Sequence, residues 1–464
     1  MKVEKIKRIF FDLTSALLAW VLFFYYRKEI IENSIFEISQ TLVYGSVAVS
    51  LFWLFLYIYS GNYTDVRRVS RLNELYRTII QSCFGCLLIF FFLIIDDIEN
   101  YQNYKFYYEA LFILISFHFI LTFFFRYIIT TSMVNKIHNK QVTFKTILIG
   151  SPTSIFNTFN LLENMPRSSG NEFIGYINES HGENITGLNI ENLGEIQNLD
   201  NIIQHHDIEE AILAFDNKNN EKISNIIHSL IYNDIITKIT PNMSDVLSGS
   251  VKMQSFFNVS LIEIKQIKMP VFQSFVKRII DILSSTLALI LLFPTFILIS
   301  IGIKLSSNGP VFYRQERIGY KKKLFNIIKF RSMHVNAEDD TPLLSSKHDN
   351  RITSLGKVMR KYRIDELPQF YNVLIGEMSI IGPRPEREFF ANKILLKAPH
   401  YKLIHKVKPG ITSWGMVKFG YAENVDEMIS RLKYDIIYLE NLSLLNDFKV
   451  FVLTIFIVLQ GRGK

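Results

Sequence analysis

Four apolar stretches fill the first 130 residues of the chain. They run over residues 9–26, 42–59, 79–95 and 110–129. Each is close to the roughly 20 residues that an α-helix needs to cross a bilayer. The pattern predicts a transmembrane region of four helices over residues 1–130. Asp12 and His118 lie within these stretches and could mark a polar pathway. The alternative is that Asp12, near a helix end, reaches the membrane interface.

The charged residues around these stretches are unevenly distributed. The N-terminus and the second connection are basic, with Lys2, Lys5, Lys7, Arg8, Arg67, Arg68, Arg71 and Arg77. The third connection is acidic, with Asp96, Asp97 and Glu99 against Lys105. Because basic connections stay in the cytoplasm, we expect the N-terminus and everything after the fourth stretch to be cytoplasmic.

The pattern changes to alternating strands and helices at about residue 143. Buried strands are predicted at 145–150, 173–177 and 210–215, and helices at 155–162 and 222–232. This predicts a Rossmann-like soluble domain over residues 140–268. Only Gly150 follows the first strand, before Ser151 and Pro152, so the glycine fingerprint of dinucleotide sites is missing. Dinucleotide binding therefore remains the alternative to a packing or regulatory domain.

A further apolar segment, residues 282–303, contains 22 residues without a charge. Pro294 interrupts it, where it removes a helix hydrogen bond. Both flanks are basic, with Lys277 and Arg278 before it and Lys304 after it. A crossing would place one basic flank outside the cell, against the orientation rule. We therefore predict a re-entrant membrane helix over about residues 275–305. A kinked span is the alternative.

Composition excludes several classes of protein. Apolar residues make up 49 % and charged residues 20 % of the chain, which excludes a disordered protein. Because the chain has only two cysteines, it cannot form a framework of several disulfides or a metal site with four thiolate ligands. The formal net charge of +8 suits anionic lipid or phosphorylated substrates. We expect no nucleic-acid partner.

Basic side chains concentrate after the fifth apolar segment. Arginine presents a planar fork to phosphate oxygens, so these residues are candidate phosphate ligands. The set comprises Arg314, Arg317, Lys329 and Arg331, with Lys277 and Arg278 on the other flank. Alternatively, they form a basic surface that contacts anionic lipid.

Asp365 and Glu366 follow a basic stretch, residues 351–363. Pro368 suits the first turn of a helix, so a helix is predicted from about Asp365 through residue 374. Asp365 could simply be the N-cap of that helix and Glu366 a first-turn acid. An acid pair in a basic field is also suited to attacking a diphosphate or bridging it to a metal.

Four motifs in this region carry a resemblance to a known family. They are Lys329-Phe-Arg-Ser-Met, Asp365-Glu-Leu-Pro-Gln, the stretch 372–385 and Pro409-Gly-Ile-Thr-Ser-Trp. Together they resemble the bacterial polyprenyl-phosphate sugar-1-phosphate transferases, the monotopic phosphoglycosyl transferase superfamily. The resemblance covers about residues 272–464. With the four spans and the α/β domain ahead of it, the chain looks like the long form that primes exopolysaccharide, capsule or O-antigen synthesis.

The resemblance implies a fold and an activity. Residues 271–464 would form an α/β-type catalytic domain with the re-entrant helix. The enzyme would move a sugar phosphate from a nucleotide diphosphate-sugar, expected to be a UDP-sugar, to undecaprenyl phosphate with Mg²⁺. Asp365 would attack the sugar-linked phosphorus, and Glu366 would assist. Either carboxylate could hold the metal, and Arg384 is a further candidate phosphate ligand.

The same resemblance implies a location and partners. The chain would be a multi-pass protein of the bacterial inner membrane with its catalytic domain in the cytoplasm. Membrane lipid, a second copy of the chain and downstream glycosyltransferases are the expected partners. Two departures from the family pattern are Phe293 before Pro294, and Gly415-Met416 after Trp414. The second weakens the expectation of a polar contact there.

Two other functions are open to such a chain. A membrane sensor or scaffold would use the α/β domain to bind a nucleotide and would not be an enzyme. A membrane-anchored nucleotide-sugar dehydratase or epimerase would need the glycine fingerprint and a Tyr-x-x-x-Lys pair, and the middle domain has neither.

Overall fold

The computed structural model describes residues 2–31, 34–94, 105–179, 185–216, 220–241, 261–335 and 349–460. The chain divides into two compact units. The first comprises Met1–Phe144 and Leu161–Glu172, and the second comprises Lys145–Asn160 and Phe173–Lys464.

The first unit is built from four long helices. They are α1 (Lys2–Tyr26), α2 (Gln40–Tyr59), α3 (Arg71–Ile89) and α4 (Lys105–His138). Serine hydroxyls cap two of them, since Ser39 accepts from the Leu42 amide and Ser70 from the Asn73 amide. Among the described residues, four single helices are long and apolar enough to cross a membrane, in agreement with the four predicted candidate spans. Asp96, Asp97 and Glu99 lie outside the described residues.

Charged side chains pair in the interior of this four-helix bundle. Arg126 donates to both carboxylate oxygens of Asp12, at 2.8 and 3.1 Å, and Tyr63 donates to Asp12 at 2.8 Å. Arg8 pairs with Glu74. Asp12 is only 2 % exposed, so its carboxylate is enclosed within the bundle, and its position relative to the membrane interface stays a prediction. Pairing reduces the large penalty for burying each charge.

The second unit contains a six-stranded mixed sheet. Its strands are β1 (Phe144–Gly150), β2 (Asn171–Asn178), β3 (Glu191–Asn192), β4 (Glu210–Ala214), β5 (Ile236–Ile239) and β6 (Ile262–Glu263). Their order is β3-β2-β1-β4-β5-β6, with β6 antiparallel to β5. The helices between them are α5 (Pro152–Glu163), α6 (Leu199–His206) and α7 (Asn220–Tyr232). The predicted strands and helices are present, and apolar residues of β1, β2, β4, α6 and α7 form one buried core.

Two helices bent by 59° follow the sheet, α8 (Val271–Leu291) and α9 (Phe293–Ser306). Pro294 lies in the first turn of α9, where its missing N–H is tolerated. The bend therefore falls at the position that the proline predicts.

The remaining segments assemble around a hairpin and a short sheet. The antiparallel hairpin joins β7 (Phe312–Ile318) to β8 (Leu324–Phe330), and β9 (Ser379–Ile381) pairs in parallel with β10 (Gly410–Thr412). The helices are α10 (Ser354–Lys361), α11 (Gln369–Ile375), α12 (Glu388–Lys397), α13 (Trp414–Lys418), α14 (Val425–Glu440) and α15 (Leu444–Leu459). Phe325 and Ile327 of β8 pack with Val373 of α11, which places the hairpin against this helix.

Candidate active site

The acid pair lies in a 3₁₀ turn, Ile364–Glu366, and not at the start of an α-helix. Arg363 precedes the turn in the left-handed conformation, with φ of 55°. The α-helix α11 begins only at Gln369, four residues later than the sequence predicted. The reason is Pro368, which has no N–H to donate to the preceding turn. The N-cap interpretation of Asp365 is therefore wrong for α11, whose N-cap is Pro368.

Glu366 is held by three cationic side chains. Its Oε1 accepts from Lys329 Nζ at 2.9 Å and from Arg384 at 3.5 Å, and its Oε2 lies 3.9 Å from an Arg363 nitrogen. Burial by itself would raise the pKa of Glu366, but Lys329, Arg384 and Arg363 bring it well below its usual range. Glu366 is therefore ionised across the physiological pH range.

Asp365 has a different environment. The side chain is buried, and no side chain of the described residues donates a hydrogen bond to its carboxylate. Burial, followed by the adjacent charge of Glu366, raises the pKa of Asp365 to about 6, against the opposing effects of Lys329, Arg360 and Arg384. At neutral pH the site thus holds one firmly bound carboxylate and one weakly stabilised carboxylate side by side.

An aromatic ring joins the two arginines of the site. The guanidinium carbons of Arg363 and Arg384 each lie 5.3 Å from the ring centre of Tyr421, within cation–π range. Sequence reasoning missed Tyr421, because it lies in a connection without a motif. It also missed Arg363 as a site residue, although Arg363 ends the basic stretch next to the acid pair.

Arg384 also contacts one of the two departures from the family pattern. One of its terminal nitrogens lies 3.3 Å from the sulfur of Met416. The thioether is a weak acceptor, so the position retains a weak polar contact. The sequence predicted that a polar contact at this position would be weakened, and the contact observed is the weak one between Arg384 and the Met416 sulfur.

The seven predicted phosphate ligands have different positions. Lys329 and Arg384 contact Glu366, and Arg317 lies beside the Arg384 loop, where it donates to the Pro385 carbonyl and to Glu386. Burial is the main cause that lowers the pKa of Arg317 to about 10. Arg314 is exposed on β7.

The other three predicted ligands have structural contacts. Lys277 donates to the Ile381 carbonyl and to Asp447. Arg278 donates to the Val373 and Leu374 carbonyls, near the C-terminal end of α11. Arg331 donates to the Ser307 and Asn308 carbonyls, just after α9. The last carbonyls of a helix lack intrahelical donors, which explains why a basic side chain binds at the end of α11.

The two carboxylates fit a divalent cation that takes its other ligands from substrate and water. Glu366 Oε2 is buried without a hydrogen-bond partner, although a buried carboxylate oxygen normally has one. Within the described part of the chain, no group of three or more His, Cys, Asp or Glu residues could hold a metal. Mg²⁺ is commonly bound through one or two carboxylates plus phosphate oxygens, which needs no larger cluster.

The family model described as "Bacterial sugar transferase" matches residues 272–461, the segment that contains the acid pair and its cations. A UDP-N-acetylgalactosamine-undecaprenyl-phosphate N-acetylgalactosaminephosphotransferase from Aeromonas hydrophila is 40 % identical, over 48 % of this chain and 52 % of the relative. A UDP-glucose:undecaprenyl-phosphate glucose-1-phosphate transferase from Klebsiella pneumoniae is 41 % identical, over 39 % of each. The chain thus spans about half the length of these relatives, or less.

A shorter relative is matched over almost its whole length. The exopolysaccharide production protein PSS of Rhizobium leguminosarum bv. phaseoli is 35 % identical over 40 % of this chain and 96 % of the relative. Among solved structures, UDP-D-quinovosamine 4-dehydrogenase from Vibrio fischeri matches 26 % of this chain at 20 % identity, with a TM-score of 0.20 that supports no inference. The family match and the near-complete match to the Rhizobium protein show that this chain belongs to the bacterial sugar transferase family.

Proposed function

We propose that this chain transfers a sugar-1-phosphate from a UDP-sugar to undecaprenyl phosphate and so starts the assembly of a polysaccharide. The names of the Aeromonas and Klebsiella relatives support this substrate pair. The observation that carries the proposal is the buried acid pair, in which Glu366 is bound by Lys329 and Arg384 while Asp365 accepts no side-chain hydrogen bond from the described residues. A carboxylate that is ionised but weakly stabilised is a competent nucleophile.

The proposed reaction has two displacement steps. An Asp365 oxygen attacks the sugar-linked phosphorus, the bond between the two phosphates breaks, and UMP leaves with the bridging oxygen. The resulting aspartyl phosphosugar is then attacked by an oxygen of undecaprenyl phosphate. The Asp365 oxygen leaves, and the lipid diphosphate sugar forms. No net proton transfer from Asp365 is needed, because the carboxylate is regenerated.

The cations around the pair have separate roles in this proposal. Lys329 and Arg384 offset the charge of Glu366 and of the diphosphate, and Tyr421 keeps the Arg363 and Arg384 guanidinium groups in place. Glu366 Oε2 and Asp365 would hold Mg²⁺. The metal would supply further neutralisation of the diphosphate charge.

The direct test is a transfer assay with the full chain in detergent. Radiolabelled UDP-glucose and UDP-N-acetylgalactosamine are incubated with undecaprenyl phosphate and Mg²⁺. We expect one of them to label the lipid with equimolar release of UMP. Absence of both labelled lipid and UMP with a full panel of UDP-sugars would contradict the proposal.

We further propose that α8 and α9 form a re-entrant helix that holds the active site at the cytoplasmic face of the inner membrane. Support comes from the anchoring of both ends to the same catalytic segments. Lys277 and Arg278 of α8 bind carbonyls of β9 and α11, and Arg331, next to β8, binds carbonyls just after α9. The order of the first five strands likewise supports a Rossmann-like α/β domain. A homodimer and contacts with downstream glycosyltransferases remain predictions.

The re-entrant arrangement predicts that both ends of the helix pair are labelled from one side. In a chain with Cys83→Ser and Cys86→Ser, cysteines at Ser274 and Ser306 should react with an impermeant maleimide only in inverted vesicles. Glu440→Cys, on the exposed face of α14, is the matched control for the catalytic side. Labelling at Ser306 from the opposite side to the control would show a crossing. Pro294→Leu should favour that crossing, because it removes a helix break that is worth about 3 kcal/mol.

The raised pKa of Asp365 predicts an acid limb in the rate profile. Only the ionised carboxylate attacks, so kcat/KM should be constant above about pH 7 and fall as the pH drops through about 6. At pH 5 the loss should be about tenfold, since one pH unit below the pKa leaves about a tenth of the groups ionised. The measurement is initial-rate kinetics from pH 5 to 8.5 with stability checked at each pH. A flat profile down to pH 5 would contradict the assignment.

A further inference from the structure

A cavity of about 400 Å³ lies at the carboxyl edge of the mixed sheet, between α6 and α7. Asn178 ends β2 and Phe215 follows β4, so the cavity spans both sides of β1 in the strand order. Open α/β sheets bind their ligands at this edge, and pockets for small molecules begin at about 300 Å³.

The usual phosphate position of such a sheet is already filled by a carboxylate of the protein. Asp216, just after β4, accepts hydrogen bonds from Ser151 at 2.5 Å, Thr153 at 2.6 Å and Ser154, all at the start of α5. These hydroxyls lower the pKa of Asp216, so it stays ionised. A bound diphosphate would meet this charge at the helix N-terminus, where phosphates normally bind. The turn after β1 is therefore closed to a dinucleotide.

The charged side chains of the cavity wall neutralise one another. Lys222 lies 3.6 Å from Glu179, and Lys402 lies 3.3 Å from Asp200. Asp200 also accepts from Ser229, and Glu195 has a partner of its own. The wall thus offers no surplus positive charge to bind a phosphate.

The rest of the wall suits a neutral ligand that both donates and accepts hydrogen bonds. Gln197 and Asn225 carry amides with donors and acceptors, and Phe215 offers an aromatic ring. A sugar has hydroxyl groups that can hydrogen-bond to the two amides, and apolar C–H faces that can pack against the aromatic ring. We infer that this cavity binds a neutral saccharide of one or two units.

Such a ligand would touch the connection between the sheet and the catalytic segments. Lys402 belongs to the 3₁₀ segment Pro399–Lys406, which leads into β10. At the start of β10, the Gly410 amide donates to the Pro383 carbonyl at 2.9 Å, next to Arg384. The saccharide therefore acts as a regulator of transfer through Lys402, and this part of the inference rests on the proposed function.

Binding is tested by thermal unfolding of the full chain in detergent, without any transfer assay. The probes are free D-glucose, N-acetyl-D-glucosamine and N-acetyl-D-galactosamine, each up to about 100 mM, which saturates a millimolar site. At least one should raise the melting temperature saturably in the wild type. Asn225→Trp, which fills the cavity, should abolish the effect. Glu221→Trp, an exposed residue of α7 outside the cavity, is the matched control and should retain it.

A second variant covers the case in which Asn225→Trp does not fold. Gln197→Ala removes one amide without adding volume and should weaken the saccharide Kd about three- to tenfold, the range for one hydrogen bond. The inference is overturned if no sugar gives a saturable shift, if the Asn225→Trp or Gln197→Ala curve equals that of the wild type, or if inorganic phosphate stabilises the chain through the same residues.

The regulatory part is tested on the transfer reaction. The saturating sugar should change kcat at least twofold in the wild type and leave Lys402→Met unaffected. An equal response in Lys402→Met, or no response in an active wild type, would overturn the regulatory part. If the chain transfers no sugar phosphate, the proposed function fails while the thermal measurements still decide whether the saccharide site exists.

Discussion

Asp365→Asn is expected to lower the rate of sugar-phosphate transfer by at least about 10³-fold, because an amide oxygen cannot form the acyl phosphate. The protein should still fold and insert into membranes, since the side chain keeps its size. Asp426→Asn is the matched control, because Asp426 is exposed on α14 and pairs with Lys397. It should transfer at the wild-type rate.

The covalent route gives this variant a second readout. Without undecaprenyl phosphate, wild-type chain incubated with radiolabelled UDP-sugar should release up to one equivalent of UMP and retain the labelled sugar phosphate. Asp365→Asn should do neither. Near-normal turnover by Asp365→Asn, or label that stays on this variant, would exclude Asp365 as the nucleophile.

The same substitution should also raise stability at alkaline pH. The pKa of Asp365 in the folded chain, about 6, lies above the value near 3.9 of an unfolded aspartate. Its stabilising contribution is therefore complete below the unfolded pKa and is lost as the pH rises through about 6. At pH 8 the wild type holds an ionised, buried carboxylate that asparagine removes. The melting temperature of Asp365→Asn should then exceed that of the wild type at pH 8, and this advantage should shrink at pH 5.

Glu366→Gln is expected to lower transfer by about 10²-fold or more, the usual loss when one electrostatic group of an active site is removed. Lys329 and Arg384 would lose the carboxylate that binds them, so both side chains would shift. The diphosphate that they bind in the proposed reaction would then shift as well. The apparent affinity for Mg²⁺ should also fall, because Glu366 Oε2 is an orphaned buried oxygen suited to the metal. Glu388→Gln, at an exposed glutamate of α12, is the control and should leave both quantities unchanged.

The pH profile of Glu366→Gln separates its electrostatic role from a structural one. The charge of Glu366 helps to raise the pKa of Asp365, so removing it should move the acid limb of kcat/KM to lower pH. A merely structural defect would lower the rate without moving the limb. A wild-type rate together with an unmoved limb would contradict both the role of Glu366 in transfer and the coupling within the acid pair.

The departure from the family pattern at Gly415-Met416 shows how tertiary contacts change the meaning of a motif. Gly415 leaves almost no room for a side chain, since a Cβ there would lie 2.8 Å from an Asp435 carboxylate oxygen. The Gly415 amide donates to Asp435 at 2.9 Å, and the neighbouring Met416 meets Arg384. The sequence marks both residues as unusual, but only the approach of α14 gives the reason for the glycine.

Much of the fold could be predicted from the order of residues, because it depends on local patterns. The length of the apolar stretches determines that four helices can cross a membrane, and Pro294 determines where α8 and α9 separate. The strands of the mixed sheet follow from short apolar runs between polar turns. The acid pair is adjacent in the sequence, so no folding is needed to bring Asp365 and Glu366 together.

Only the tertiary structure decided which basic residues surround that pair. By residue type alone, Lys329, Arg384, Lys277, Arg278 and Arg331 are equivalent phosphate candidates. The fold places the first two on Glu366 and binds the other three to backbone carbonyls at the ends of helices and of β9. The physical reason is that a long basic side chain binds whichever acceptor the fold brings within its reach. That acceptor lies tens of residues away along the chain, beyond what a local pattern can specify.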